Sequence, residues 1–233
     1  MRRIAWILAI TLALSIFPLQ VNGQIPSFSD PILDQRANEL LQILIAKYPH
    51  GEVKERLRGW ISSKKVPVRA RPISLQVGII IHLEGSDENL FPTLWVNPFY
   101  ILRALGGEEE ENNKSILNLY YQYVVLENHF NKKALLRYFP KRDDEVDIRE
   151  YARGAWNARW EASWAQWVFA KKQGVAYLLE PMYSAVQQLG ERRGFLEGFY
   201  HITMHALPEG RIGNRLAPLY EEIYEEKRGI STN

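Results

Sequence analysis

His201 and His205 stand four residues apart in His201-Ile202-Thr203-Met204-His205, and on a helix that spacing projects both imidazoles from one face. Two such rings can share one divalent cation, with Glu197 a turn earlier on the same face and a further ligand, His129 or Glu161, from another helix. The chemistry on offer is a metal centre; polar surface at a helix end before Pro208 is the plainer reading of the same residues. The second pattern is aromatic. Trp156, Trp160 and Trp164 step by four and Trp167 follows by three, so the indoles line one stripe of a helix. That stripe is either a core seam or the wall of an apolar groove that clasps a peptide or stacks on a sugar, with Arg153, Arg159 and Glu161 as polar determinants.

Other chemistries lack their residues. There is no glycine-rich phosphate loop, dinucleotide fingerprint or serine nucleophile elbow, and Gly106-Gly107 leads into Glu108 to Glu111, which repel phosphate. The absence of cysteine removes disulfides, thiolate catalysis and cysteine metal sites together.

The elements that must position these residues begin after an address. Arg2 and Arg3 precede the apolar run Ile4 to Phe17, Pro18 breaks it, and Val21-Asn22-Gly23 follows, which predicts a signal peptide over 1–23 cleaved after Gly23. A secreted or periplasmic protein is expected. The apolar run is shorter than the ~20 residues that span a bilayer, so no integral membrane span is expected after cleavage. Losing Arg2 and Arg3 from the 29 Lys and Arg leaves a balance with the 27 Asp and Glu, a net charge unsuited to nucleic acid.

Residues 24–233 read as a single α+β domain, predominantly α: N-terminal helices over 24–72, a segment 73–174 with a small β-sheet, and C-terminal helices over 175–233. Asp30-Pro31 predicts a capped helix to Tyr48, and a shorter helix follows to about Trp60. From Lys54 to Arg71 there are seven basic residues and one acidic one, expected as a solvated connection or an anion-binding surface. Strands are expected at Ile73 to Leu83 and Thr93 to Val96, with one more at most. Asn97-Pro98 starts a helix through Leu105, and 106–113 reads as an exposed acidic loop. Helices are then expected over Ser115 to Phe130, Asp147 to Lys172, Pro181 to Leu189, Gly194 to Ala206 and Pro218 to Arg228. The outline is a small β-sheet followed by a helical bundle.

The order of elements from Ile73 to Gly174 resembles a zincin-like (gluzincin-type) metallopeptidase domain. Leu94-Trp95-Val96-Asn97-Pro98 looks like its edge strand, Ile116 to Phe130 like its motif helix, and Arg159-Trp160-Glu161-Ala162 like the downstream helix that carries a glutamate ligand. The resemblance puts Glu161 at that ligand place, Tyr121 and Val125 at the two histidine places, and Gln122 at the glutamate place. Zinc hydrolysis needs two imidazoles and a carboxylate base, so what the resemblance implies is a degenerate, non-catalytic member without cofactor. Tyr121, Gln122, Val125, Trp160, Glu161 and Trp164 would then line a binding cleft for a peptide or protein. The competing expectation is a metal-dependent hydrolase with zinc or another divalent ion on His201, His205 and His129, and Glu127 or Glu161 as base. A structural helical protein of the cell envelope, its tryptophans all core, is the third.

Overall fold

Asp30 opens the first helix as the sequence predicts: its Oδ1 accepts the backbone N–H groups of Ile32 (2.9 Å) and Leu33 (3.3 Å), and Pro31 occupies the first helical position. The computed structural model describes residues 30–71, 78–85, 91–132, 147–207 and 211–230. The expected signal peptide over 1–23 and the Ile73 to Val77 part of the expected strand lie outside them. Among the described residues the chain is predominantly helical, with eight α-helices and one three-stranded sheet, an α+β architecture. It divides into two compact units, 30–126 and 127–230.

The first unit contains α1 (Pro31–Ala46), α2 (Gly51–Ser62), β1 (Val68–Ala70), β2 (Ile79–Glu84), β3 (Phe91–Val96), α3 (Pro98–Gly106) and most of α4 (Glu109–Lys132). The sheet order is β1-β3-β2, with β1 parallel and β2 antiparallel to β3. α1 lays Ala37, Leu40, Leu41, Leu44 and Ile45 into the core and packs on β1, α2 and α3. Both outer strands are held by helix side chains. Asp34 of α1 accepts the Ala70 N–H at 2.7 Å and pairs with Arg69 at 2.9 Å, while Gln122 of α4 accepts the Ile81 N–H at 3.2 Å. Each closes an edge that would otherwise leave a buried backbone donor without an acceptor.

Two expectations fail here. β1 lies inside the segment expected as a connection, because three residues are too few to show an alternation and their pairing depends on β3, distant in sequence. Most of the acidic loop expected at 106–113 is instead the start of α4: Glu109, Glu110 and Glu111 occupy its first turn, where the helix dipole favours negative charge. Lys114 pairs with Glu110 at 2.6 Å and Arg103 with Glu111 at 3.0 Å, which offsets the remaining repulsion.

The basic stretch is largely spoken for. Arg56 pairs with Glu52, Lys54 donates to the Ala46 carbonyl, and Arg69 and Arg71 approach Glu84 at 3.9 Å, so four of its seven basic residues have partners within the fold. Lys64, just past α2, has a φ of 59°, a conformation that strains an L-residue and suits glycine. Lys64→Gly should therefore raise stability by up to about 1 kcal/mol, after the loss from glycine's greater freedom in the unfolded chain. Urea denaturation checks this, and a lower midpoint would contradict it.

The second unit contains the end of α4, α5 (Ile148–Lys172), a 3-10 turn (Ala176–Leu178), α6 (Met182–Leu189), α7 (Glu191–His205) and α8 (Arg211–Ile230). Asp147 caps α5 through the N–H groups of Arg149 and Glu150, and Gly174, with φ 72°, follows its end. α6 and α7 form a tight hairpin through Gly190, and α7 also packs on α8. Pro218, expected to start the last helix, lies inside α8. Its side is exposed, so water can satisfy the carbonyl that proline leaves without an N–H. No helix among the described residues is long and apolar enough to cross a membrane.

Candidate functional site

α4 is buried on most of its circumference from Ser115 to Leu126, and the three residues at the motif places are part of that burial. Tyr121, Gln122 and Val125 are only 3%, 4% and 4% exposed, so none lines an open cleft. The Gln122 carboxamide is engaged by β2. These residues do not fit a zinc ion: valine has no donor atom, and a carboxamide cannot take a proton from metal-bound water. Beside them, Tyr120 and Tyr123 continue a ladder of rings, Tyr48 against Tyr120 at 6.3 Å and Trp60 against Tyr123 at 5.7 Å. Burial pushes the Tyr48 hydroxyl far above the usual phenol range, with the neighbouring Tyr120 and Tyr123 adding to it.

The remaining ligand candidates are dispersed. Among the described residues no group of three His, Asp or Glu is placed to hold a metal ion, so neither His129 nor Glu161 completes a set with His201 and His205. The local reasons are visible. The His129 ring lies against Phe130 at 5.1 Å, with Nδ1 buried and without a hydrogen-bond partner among the described residues, and burial lowers its pKa. Glu161 faces solvent on α5, and Glu127 is half-buried on α4. Glu197 accepts the Tyr224 hydroxyl, which pushes that phenol up to about 12 together with burial, the larger cause. What does come together is the histidine pair itself: the exposed rings of His201 and His205 meet edge to face with centroids 4.3 Å apart.

The tryptophan stripe resolves into two parts. Trp156 and Trp167 are fully buried, Trp156 edge-on to Phe199 (5.0 Å) and Tyr220 (5.6 Å). Trp160 and Trp164 are half-exposed, their rings nearly parallel (5°, 6.3 Å) and both edge-on to Phe195 at 4.8 Å. The polar residues expected to serve a groove there are otherwise engaged. Arg153 pairs with Glu226 at 2.9 Å, and Arg159 is buried and donates to the Tyr220 hydroxyl at 3.4 Å. Trp167 donates through Nε1 to Glu191, and with the stronger Lys171 hydrogen bond it holds that carboxyl below its usual range.

A further cluster escaped the sequence reading. The register pairs Trp95 with both Arg69 and Ile80, which puts Arg69, Arg71, His82, Glu84 and Trp95 on one face of the sheet. The His82 ring stacks on Trp95 at 3.8 Å, the Arg71 guanidinium lies 5.4 Å from that indole, and Trp95 Nε1 donates to Glu84 at 2.9 Å. The alternation Ile80, His82, Glu84 was readable; its partners were not, because register joins residues that the chain keeps apart.

Burial lowers the pKa of His82, opposed by Glu84 and assisted by Arg71. Burial likewise lowers that of His129, so the folded pKa values of both histidines lie below the unfolded value of about 6.5. The associated stability is complete above that value and is lost as pH falls from there through the lowered folded pKa values. The urea midpoint should therefore drop between pH 7 and pH 5, and His82→Phe should reduce the drop. An equal drop in the variant would remove His82 from the account.

No family model, curated protein or solved structure matches the chain.

Proposed function

We propose that the chain is an exported, non-catalytic protein of zincin-like type that acts by binding peptide or protein. The observation that carries the reading is the role of Gln122. At the place where the resemblance requires a general base, its carboxamide accepts the Ile81 N–H and secures the edge of the sheet. A group so engaged and unable to take a proton serves architecture, and Val125 beside it adds no ligand. Binding then falls to the partly exposed aromatic surface of α5. The parallel Trp160–Trp164 pair offers two half-exposed indole faces, supported from below by Phe195, and such rigid aromatic platforms suit apolar or aromatic side chains of a peptide.

The test uses the full chain with fluorescently labelled casein and its tryptic peptides. Tryptophan emission should respond to the peptides, and the response should be lost in Trp160→Ala with Trp164→Ala, while the casein remains uncleaved. Cleavage abolished by a chelator would overturn the non-catalytic reading. Absence of any peptide response would favour a structural protein of the cell envelope.

A further inference from the structure

We propose that His201 and His205 form a two-imidazole clamp for a first-row divalent cation on the exposed face of α7. Three features carry this. The rings already sit with centroids 4.3 Å apart and planes at 78°. Two imidazoles bound to one tetrahedral ion at ~2.0 Å place their centroids about 5 Å apart, so small side-chain rotations convert the observed pair into a chelate. His201 lies inside α7 and His205 is its last residue, so one continuous helix sets their spacing before any ion arrives. Both side chains face solvent, so the ion keeps water at its remaining positions and avoids the cost of full dehydration.

The donor set is two nitrogens from the chain. Glu197, the acid on the preceding turn, is hydrogen-bonded to Tyr224, and no group of three ligands exists among the described residues. Two imidazoles with water select by the intrinsic order of the metals, so Cu2+ binds most tightly, ahead of Ni2+ and Zn2+. Open positions occupied by water also leave room for a ligand from a second molecule. This site is independent of the zincin-like reading, whose motif places lie on α4.

The experiment is calorimetric titration of the full chain with Cu2+, and separately with Zn2+, at neutral pH in a non-coordinating buffer. One Cu2+ per chain is expected, with Zn2+ weaker. His201→Ala and His205→Ala should each weaken Cu2+ binding by roughly tenfold or more, because a chelate becomes a single imidazole. His50→Ala should leave it unchanged. Electron paramagnetic resonance of the Cu2+ form should show two nitrogen donors in the parent chain and one in either variant. His205→Gln, which keeps a polar side chain at the helix end, should reproduce His205→Ala. Absence of saturable Cu2+ binding, or binding that survives loss of either histidine, would overturn the proposal.

Discussion

Gly198→Ala is expected to destabilise the protein by about 3 kcal/mol or more, an unusually large effect for the addition of one methyl group. The reason is the contact between α6 and α7. A Cβ on Gly198 would lie 2.5 Å from Met182 Cα and 2.8 Å from Met182 Cγ, and one on Gly194 would lie 2.4 Å from Ala185 O, Val186 Cα and Val186 N. Most of these atoms belong to backbone, so a rotamer change cannot relieve the overlap; α6 itself must move. Gly194→Ala should cost a similar amount. The two glycines sit four residues apart on one face of α7, so a shift made for one also accommodates the other. The double variant should therefore cost less than the sum of its parts. Gly59→Ala in α2 supplies the contrast: beyond its own helix turn, no described residue comes within 4 Å of a Cβ placed there, and replacing a helix-interior glycine should stabilise by about 0.5–1 kcal/mol. Urea denaturation of the four variants checks the set. A Gly198→Ala midpoint close to the parent value would mean that α6 and α7 are not in backbone contact.

The same hairpin shows what can be read from residues in order. Caps are local, so Asp30, Asn97 and Asp147 all mark helix starts in the sequence and all accept the expected backbone N–H groups in the fold. Long amphipathic helices are legible for the same reason, since every residue of the pattern lies within a few turns. The glycines of α7 carry no such signal, because their need is set by a neighbouring helix: the expected helix began at Gly194, three residues late, and placed no demand on Gly198. β1 and the faces of the sheet escaped likewise, since they exist only through pairing with β3. Acid-rich residues 108–111 were misread by weighing their mutual repulsion without the helix dipole that organises them.

Candidate chemistry follows the same division. The i, i+4 spacing of His201 and His205 is a local property, and their rings do meet. A third ligand from another helix is a tertiary property, and none joins them among the described residues. At the places that the resemblance assigns on α4, residue type alone speaks against zinc chemistry, whereas the task of Gln122 at the edge of β2 required knowledge of which strand lies there. Burial pattern tells the same story on α5. Spacing predicts one aromatic stripe, but only the position of α7 decides which indoles it covers.

Trp156→Ala is the second large effect, and it separates the two readings of that stripe. Trp156 is 1% exposed and meets Phe199 and Tyr220 edge to face, so its removal leaves a cavity bounded by α7 and α8 side chains. A loss of about 3–5 kcal/mol is expected in urea denaturation. Trp164, only partly buried and resting on Phe195, should cost less, about 1–2 kcal/mol when replaced by alanine, since part of its surface remains in water in the folded state. Peptide binding should rank the positions the other way, with Trp164→Ala abolishing the fluorescence response and Trp156→Phe, which keeps most of the core volume, leaving it intact. The opposition matters because a tryptophan engaged wholly in packing reports on stability alone. If Trp164→Ala proved as destabilising as Trp156→Ala, its indole would belong to the core and the proposed contact surface would lose its platform.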